Sequence, residues 1–454
     1  MTSAANASNT DNPGNPAGNP ASNPLKLRAG YEDFRRFVNP MLVSRAELSS
    51  EPWQISKVIG TRLADHEGRL YADFLAGWGT QAFGHRPPVI EAALRDFLDG
   101  DTPSFYPSGV SPYAGMLARR LHDLSHYDAA WFASGGSEAV EAALKLARAA
   151  TGRARIACIE GAYHGCTFGS VAMMQPGPYR DQFGPHLPRV DALPFGDLTA
   201  LALALADPDL AAVVIEPVQV EAGLRMPPAP WLQYLCEHSE KNGVLLIADE
   251  IQTGIGRCGQ FLASASWPRP PDVVTLGKAL GGGLIPLSAM LTRSPIFERA
   301  YGSLDMADAH ASTFSGNALA CVAGLAAMGL MDAAMLAEIR RKSEVFRTAL
   351  QHHVLHSPLV AEIRGQGLLL GLVLQTPDHP CYQFDYLGLP QLAQQSAMGM
   401  LLMHQMFKRG FITQICGHAW QVLRLHPPYN TPDDELIACA RALGQSLDYL
   451  WGLQ

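Results

Sequence analysis

The chain of 454 residues has few charged side chains and no long apolar run, and these two shortages exclude several classes of protein. Asp, Glu, Lys and Arg make up 17% of the residues and give a formal net charge of −8. This composition offers no general basic surface for nucleic acid. No apolar run approaches the roughly 18 residues that a membrane-spanning helix needs. We therefore expect neither nucleic acid nor a membrane among its partners.

Paired cysteine motifs are also missing from the sequence. The eight cysteines are scattered without a CxxC pair, which is typical of reduced cytoplasmic thiols rather than of a disulfide framework. The first 24 residues contain no Lys or Arg and no apolar core. They fit neither a signal peptide nor an organellar presequence. We therefore expect a cytoplasmic protein with a disordered tail at residues 1–24.

The usual motifs of metalloenzymes, nucleotide-binding proteins and serine hydrolases do not occur. His352, His353 and His356 have near-helical spacing, but no acid or cysteine nearby completes a ligand set, so no metal site is expected. The sequence has no Walker loop and no GxSxG elbow, and Gly254-Ile255-Gly256 lacks the context of a dinucleotide fingerprint.

Lysine is scarce, and one lysine stands in an unusual context. Of the seven lysines, only Lys278 follows a mainly apolar strand, predicted at 272–276, and precedes a glycine run. A second apolar strand, predicted at 244–248, ends at Asp249. Short runs rich in Val, Ile and Leu indicate strands that are buried on both faces, as in a parallel α/β sheet. Ligands bind beyond the carboxyl ends of such strands, so an amine and an acid face the same crevice.

An amine and a carboxylate in one crevice indicate a particular cofactor. A lysine withdrawn from water loses its proton more easily and can attack a carbonyl. Pyridoxal phosphate uses such an amine and pairs its pyridinium nitrogen with a carboxylate. The alternative, a solvated Lys278 beside an Asp249 that caps a helix, remains open from these residues alone.

Further candidate residues follow other predicted strands. Gly136 and Ser137 open a helix at a glycine turn, where backbone N–H groups can bind an anion. Tyr163 and His164 follow a strand, and an aromatic ring there can cover a flat cofactor. Arg424 lies within an apolar strand, where an arginine needs a partner and suits a carboxylate. Glu216 and Glu221 follow another predicted strand, and Tyr106 lies in a loop at 103–112 that is suited to lining a pocket mouth.

Nine motifs in order resemble the class III (ω-) aminotransferases of the type I pyridoxal-phosphate fold. They are AFGHRPPVIEAAL, SGGSEAVEAALKLAR, YHGCT, IEPVQVEAG, DEIQTGIGRCG, LGKALGGG, HASTFSGNALA, RGQGLLLG and LRLHPP. The resemblance spans about 71–428 and implies an α/β fold: a large domain with a mostly parallel seven-stranded sheet sandwiched by helices, and a smaller α+β domain from both termini. We expect the small domain at 25–75 and 329–454 and the large domain at 76–328.

The resemblance also implies roles for the candidate residues. Lys278 would hold the cofactor as an internal aldimine and move the substrate proton, while Asp249 would pair with the pyridinium nitrogen. The remaining cofactor contacts would be Tyr163 and His164 at the ring, Gln252 near its phenolic oxygen, Gly136 and Ser137 at the phosphate, and Glu216 nearby. Thr313 would reach the phosphate of the neighbouring subunit, which implies a homodimer.

The resemblance finally implies a substrate class. Arg424 would bind the carboxylate of glutamate or 2-oxoglutarate, and Glu221 would mask this arginine while a terminal amine is bound. We therefore expect a transaminase with a terminal-amine donor, 2-oxoglutarate as acceptor and Tyr106 near the pocket. The sequence departs from the family pattern at Cys166, where Arg or Lys is common, and the residues Cys416, His418 and Trp420 fit no assigned pattern. A decarboxylase, racemase or aminomutase on the same scaffold, or a non-catalytic binding protein, remains an alternative.

Overall fold

The computed structural model describes residues 24–48, 54–389 and 392–453. Residues 1–23 of the predicted disordered tail lie outside the described residues, and Pro24 begins the first helix. The α-helices are α1 (Pro24–Phe37), α2 (Pro40–Leu48), α3 (Pro88–Asp99), α4 (Pro112–Ser125), α5 (Gly136–Thr151), α6 (Phe168–Ala172), α7 (Leu198–Leu205), α8 (Ala229–Lys241), α9 (Ser294–Tyr301), α10 (Ala318–Gly329), α11 (Ala333–Val354), α12 (Met398–Lys408) and α13 (Asp433–Trp451). The strands are β1 (Ile55–Ile59), β2 (Arg62–Asp65), β3 (Leu70–Asp73), β4 (Ala129–Ala133), β5 (Arg155–Ile159), β6 (Val190–Leu193), β7 (Leu210–Ile215), β8 (Leu245–Asp249), β9 (Val273–Leu276), β10 (Ser288–Thr292), β11 (Val360–Gln366), β12 (Leu369–Leu374), β13 (Phe411–Ile412), β14 (Gln414–Ile415) and β15 (Val422–Leu425).

A central sheet of seven strands has the order β4-β10-β9-β8-β7-β5-β6. Neighbouring strands from β9 to β6 pair in parallel, whereas β10 runs antiparallel to both β9 and β4. Every residue of β7 and β8 is buried, as expected for strands with helices on both faces. The predicted mostly parallel seven-stranded sheet is confirmed.

Helices pack on both faces of this sheet. Successive strand residues point to opposite faces, and the neighbours Val213 and Val214 accordingly belong to different apolar clusters. Val214 packs in the cluster that contains Val140 and Leu144 of α5. Val213 packs in the cluster that contains residues of α7 and α8, including Leu235. Because its side chains alternate between the two faces of the sheet, β7 packs against both helical layers.

Two smaller four-stranded sheets have the orders β1-β2-β3-β13 and β11-β12-β15-β14. The alternation of residues 55–74 predicts a single hairpin with its turn at Asp65–Gly68. The segment instead forms three strands, because Gly60, with φ 61°, adds a turn between β1 and β2. The predicted turn at Asp65–Gly68 does connect β2 to β3. Strand β13 pairs in parallel with β3, so N-terminal and C-terminal segments share one sheet. The domain boundaries given above stay predictions.

A helix that crosses a bilayer needs sufficient length and apolar character. In the described ranges, no single helix meets both requirements. One bent pair, Ala318–Gly329 with Ala333–Val354, meets them by length and composition only.

In the same ranges, no group of three or more His, Cys, Asp and Glu side chains has a metal-binding arrangement.

Candidate active site

The site lies at the carboxyl ends of β8 and β9, which are parallel neighbours in the central sheet. Asp249 is the last residue of β8, and Lys278 begins a short 3-10 turn, Lys278–Gly281, directly after β9. Lys278 has a φ of 45°. A lysine rarely adopts this left-handed conformation, and such backbone strain is concentrated at functional sites.

A cavity of about 200 Å³ brings together nine of the predicted site residues. They are Gly136, Ser137, Tyr163, His164, Glu216, Glu221, Asp249, Gln252 and Lys278. The cavity is also lined by Gly165, Val218, Val220 and Ile251. Residues from four separate strand ends and one helix start therefore meet in one place, because the parallel strands deliver them to the same edge of the sheet.

The carboxylate of Asp249 is buried and is held by three contacts. Its Oδ1 atom accepts hydrogen bonds from the Ile251 backbone N–H and from the Thr275 hydroxyl, both at 3.1 Å. Its Oδ2 atom lies 2.7 Å from Nδ1 of His164. Burial acts to lower the pKa of His164, but the contact with Asp249 outweighs burial and raises it. The imidazole is therefore held as a hydrogen-bond donor to a fixed carboxylate.

The amine of Lys278 donates to Oε1 of Gln252. Burial lowers the pKa of Lys278 to about 8, and the positive charge of Arg424 acts in the same direction, whereas the negative charge of Glu221 opposes it. An amine with this pKa has an accessible neutral form near neutral pH, which a nucleophile for a carbonyl requires.

The start of α5 provides backbone donors at the cavity. The carboxylate of Glu138 accepts the N–H groups of Ser134 and Gly135 at 2.9 and 3.0 Å, which fixes the loop before the helix. The N–H groups of Glu138 and Ala139 both bond to Gly135 O. The first turn of a helix has N–H groups without intrahelical partners, so the amides of Gly136 and Ser137 are placed for an anion.

The turn after β5 closes over this helix start. The Ser137 hydroxyl accepts the Cys166 N–H at 3.1 Å. Gly165 has a φ of 112°, and a Cβ there would lie 2.0 Å from the Ser137 oxygen, so only glycine allows this approach. The buried Glu216 accepts the Tyr163 N–H at 3.0 Å. Burial raises the pKa of Glu216 to about 8. These contacts fix the Tyr163 backbone, while the residue as a whole remains 39% exposed.

Arg424 of β15 forms an ion pair with Glu221 beside the cavity. Its Nη1 atom lies 2.6 Å from Oε1 of Glu221, and its guanidinium carbon lies 4.5 Å from the centre of the Trp78 ring. The other carboxylate oxygen of Glu221 accepts the Gly417 N–H at 2.7 Å. Burial acts to raise the pKa of Glu221, but the charge of Arg424 outweighs burial and lowers it. Glu221 is therefore a charged carboxylate, and its ion pair blocks Arg424 from another carboxylate.

Three predicted residues are not part of the cavity lining of their own chain, and one of them, Arg424, is paired with the lining residue Glu221. Thr313 is exposed on the loop before α10, and Tyr106 is half-buried in the loop before α4. Sequence reasoning missed Thr275, Trp78 and the Gly417 amide. Thr275 lies in β9 beside Asp249 in the register, so the polar residue within an apolar strand was a usable signal. The contacts of Trp78 and Gly417 depend on tertiary packing and have no local signal.

The residues present fit pyridoxal phosphate. A half-buried lysine and a buried carboxylate line one cavity, and a helix start offers amides for a phosphate. Two buried nitrogen atoms of cavity residues, Nε2 of Gln252 and Nε2 of His164, have no hydrogen-bond partner in the described part of the chain, and such atoms usually meet a ligand or water. The fold and site together define an α/β enzyme with a lysine–carboxylate pair above an anion site.

Comparison with known proteins gives the family. The model of the class-III aminotransferases matches residues 44–447. The chain belongs to this family, and it is a pyridoxal-phosphate-dependent aminotransferase (EC 2.6.1.-). The family, fold, cofactor and transaminase chemistry expected from the sequence are confirmed. The decarboxylase, racemase, aminomutase and binding-protein alternatives are not favoured by these comparisons.

Several named relatives are similar over most of this chain. Aminotransferase PigE of Serratia sp. (strain ATCC 39006) is 35% identical over 343 residues, which cover 75% of this chain but only 40% of PigE. Ornithine aminotransferase of Bacillus cereus (strain 03BB102) is 36% identical, with 74% of this chain and 86% of that protein covered. A structure of Toxoplasma gondii ornithine aminotransferase has a TM-score of 0.81 at 27% identity, covering 94% of this chain and 96% of that one. A second structure of that enzyme has partial occupancy of PLP at its active site.

Proposed function

We propose that this chain is a dual-substrate transaminase that takes an amino group from a terminal amine and gives it to 2-oxoglutarate by a ping-pong reaction. The observation that carries this proposal is the cavity in which Lys278, with its lowered pKa, and the buried Asp249 face the amides of Gly136 and Ser137. The masked Arg424 beside this cavity supports a second, carboxylate-bearing substrate.

Each cofactor contact has a proposed residue. Lys278 would hold the cofactor covalently, Asp249 would pair with its ring nitrogen, and Gly136 and Ser137 would bind its phosphate. Tyr163 would cover the ring, Gln252 would lie near the phenolic oxygen, and His164 fixes Asp249. Glu216 holds the Tyr163 backbone. Bound pyridoxal phosphate supplies a protonated aromatic ring that accepts the electrons left when a proton leaves the substrate carbon.

Asp249 and Lys278 have different proposed roles in the reaction. Asp249, oriented by the contacts with His164 and Thr275, would keep the ring nitrogen protonated. Lys278 Nζ would act as the base that takes a proton from the substrate carbon and as the acid that gives it back. A neutral amine is needed for this step, and burial of Lys278 provides it.

The Glu221–Arg424 pair separates the two substrates. A terminal amine places no carboxylate at Arg424, so Glu221 stays on the arginine and no buried charge is left alone. The carboxylate of glutamate or 2-oxoglutarate replaces Glu221 there. Amine and dicarboxylate then react in the same cavity at different times, which is the requirement of a ping-pong reaction.

The proposal includes a homodimer and a cytoplasmic location. Thr313 is exposed and lies outside the cavity of its own chain, so a second copy of the chain could bring it to the phosphate, and Tyr106 could reach the pocket mouth. All eight cysteines are free, which agrees with a reducing compartment.

Borohydride trapping of the holoenzyme tests the central assignment. Reduction followed by peptide mapping is expected to place the pyridoxyl label on Lys278, and the Lys278→Ala variant should carry none. Lys241→Ala, which removes an exposed lysine at the end of α8, is the matched control and should keep the label. A label on another lysine, or no label, would overturn the proposal. Conversion of the visible band by terminal amines and by glutamate then tests the two half-reactions.

A further inference from the structure

The turn at residues 416–420, which the family pattern left unassigned, contacts Glu221 twice. The Gly417 N–H donates to Oε2 of Glu221 at 2.7 Å, and the His418 N–H donates to the Glu221 backbone oxygen at 2.8 Å. The same carboxylate uses its other oxygen for Arg424 at 2.6 Å. Glu221 is therefore held between a charged partner and a backbone donor.

The turn is itself fixed. Cys416 N–H bonds to Val422 O at 2.9 Å, and Val422 N–H bonds to Ala419 O at 2.9 Å, which closes the turn between β14 and β15. Trp420 Nε1 donates to Gly417 O at 3.3 Å, and the Trp420 ring packs edge-on against Phe384 at 5.9 Å. The Gly417 amide is therefore expected to keep its position when the Glu221 side chain moves.

We propose that Gly417 is a specificity-determining positioning residue whose N–H holds Glu221 on Arg424. This inference rests on the proposed function of the Glu221–Arg424 pair. The two oxygens of Glu221 belong to one planar group, so rotation away from Arg424 also gives up the Gly417 N–H. A substrate carboxylate must therefore displace two charge-assisted contacts rather than one. The amide thus sets the balance between the amine and the glutamate half-reactions.

The Glu221 carboxylate in its observed position leaves no room for a side chain at Gly417, whereas the backbone conformation there does not need glycine. A Cβ on Gly417 would lie 2.7 Å from Oε2 and 3.6 Å from Cδ of Glu221. Gly417 is not among the residues with positive φ, so alanine suits its backbone. The atom that must move is the far end of the flexible Glu221 side chain. Gly417→Ala is therefore expected to displace the carboxylate from Arg424 without disturbing the fold.

The test measures both half-reactions of the holoenzyme, with 1,4-diaminobutane and with L-glutamate. In Gly417→Ala, the glutamate-to-diamine ratio of kcat/KM should rise about ten-fold, the effect of losing one hydrogen bond to a charged group. The change should appear mainly as a lower KM for glutamate. Gly329→Ala, at an exposed glycine with nothing within 4 Å of an added Cβ, is the control and should leave the ratio unchanged.

A double-mutant comparison separates this role from a general structural effect. In a Glu221→Ala background, Gly417→Ala should add no further change to the ratio, because the group that it acts through is gone. Should Gly417→Ala fail to fold, Trp420→Phe, which removes the bond to Gly417 O, should shift the ratio in the same direction. An unchanged ratio in the folded variants would overturn the role of Gly417. A wild-type enzyme that converts neither substrate would instead overturn the proposed function.

Discussion

The Nδ1 atom of His164 lies 2.7 Å from Oδ2 of Asp249, and both side chains are buried. They come from different strand ends, since His164 follows β5 and Asp249 ends β8, and β7 lies between these strands. The hydrogen bonds of Ile251 and Thr275 to Oδ1 fix the other carboxylate oxygen. The carboxylate therefore keeps one orientation in the cavity, which its proposed pairing with the cofactor nitrogen requires.

Asp249→Asn should lower kcat by about 10³-fold, because the amide cannot keep the ring nitrogen protonated while the electrons of the breaking bond are accepted. His164→Gln leaves the carboxylate in place and should cost only about ten-fold. Steady-state rates with a terminal amine and 2-oxoglutarate check both values. An Asp249→Asn variant as active as His164→Gln would contradict the assigned role.

Incorporation of pyridoxal phosphate into the apoenzyme should accelerate with pH and level off above about pH 8. The Lys278 amine, whose pKa burial lowers to about 8, is protonated below this pH and nucleophilic above it. The growth of the visible absorption band at a series of pH values measures this rate. A rate that kept rising toward the ordinary lysine pKa of about 10.4 would show that the amine is not desolvated.

Glu216→Gln should make the stability of the apoenzyme less dependent on pH. The pKa of Glu216 is raised to about 8, so between 4.5 and 8 the folded chain holds a proton that the unfolded chain has released. The free energy of unfolding therefore falls as the pH rises through this window. Glutamine keeps an oxygen for the Tyr163 N–H. The Tm of the variant minus that of the wild type should increase from about pH 6 to about pH 9, and a constant difference would contradict the buried carboxyl.

Residues at the ends of apolar strands could be predicted from the sequence. The runs before Asp249 and Lys278 are short and β-branched, so their strands, their parallel pairing and the shared crevice follow from local pattern and general sheet rules. Glu216 and Tyr163 are found in the same way, because each closely follows a buried strand. Motif resemblance then supplied the family and the chemistry.

Contacts that depend on the packing of distant segments could not be predicted in this way. Trp78, in a glycine turn before α3, lies over Arg424 of β15, and no periodicity connects the two. The Gly417 contact is made by a backbone N–H, which has no residue signature. The third strand in 55–74 was missed because Gly60 and Thr61 interrupt an alternation that otherwise continues.

Glu221→Ala should lower the ratio of the terminal-amine to the glutamate half-reaction rate by about ten-fold. The variant leaves Arg424, which is 3% exposed, open to a substrate carboxylate in both half-reactions. Single-turnover conversion of the cofactor band with each substrate measures the ratio. An unchanged ratio would refute the proposed masking of Arg424, even if both rates fell together.

Thr313→Val should weaken cofactor binding about ten-fold, because it removes one hydrogen bond to a charged phosphate and keeps the side-chain shape. Thr313→Ser, which retains the hydroxyl, is the matched control and should bind as the wild type does. Heterodimers of a Lys278→Ala chain with a Thr313→Val chain decide which copy supplies the hydroxyl. If Thr313 acts across the interface, the only site with an intact lysine receives its threonine from the Lys278→Ala chain and binds with wild-type affinity. If Thr313 acts within its own chain, that site has valine and binds weakly. Weak binding in the heterodimer would therefore refute the contribution of Thr313 across the interface.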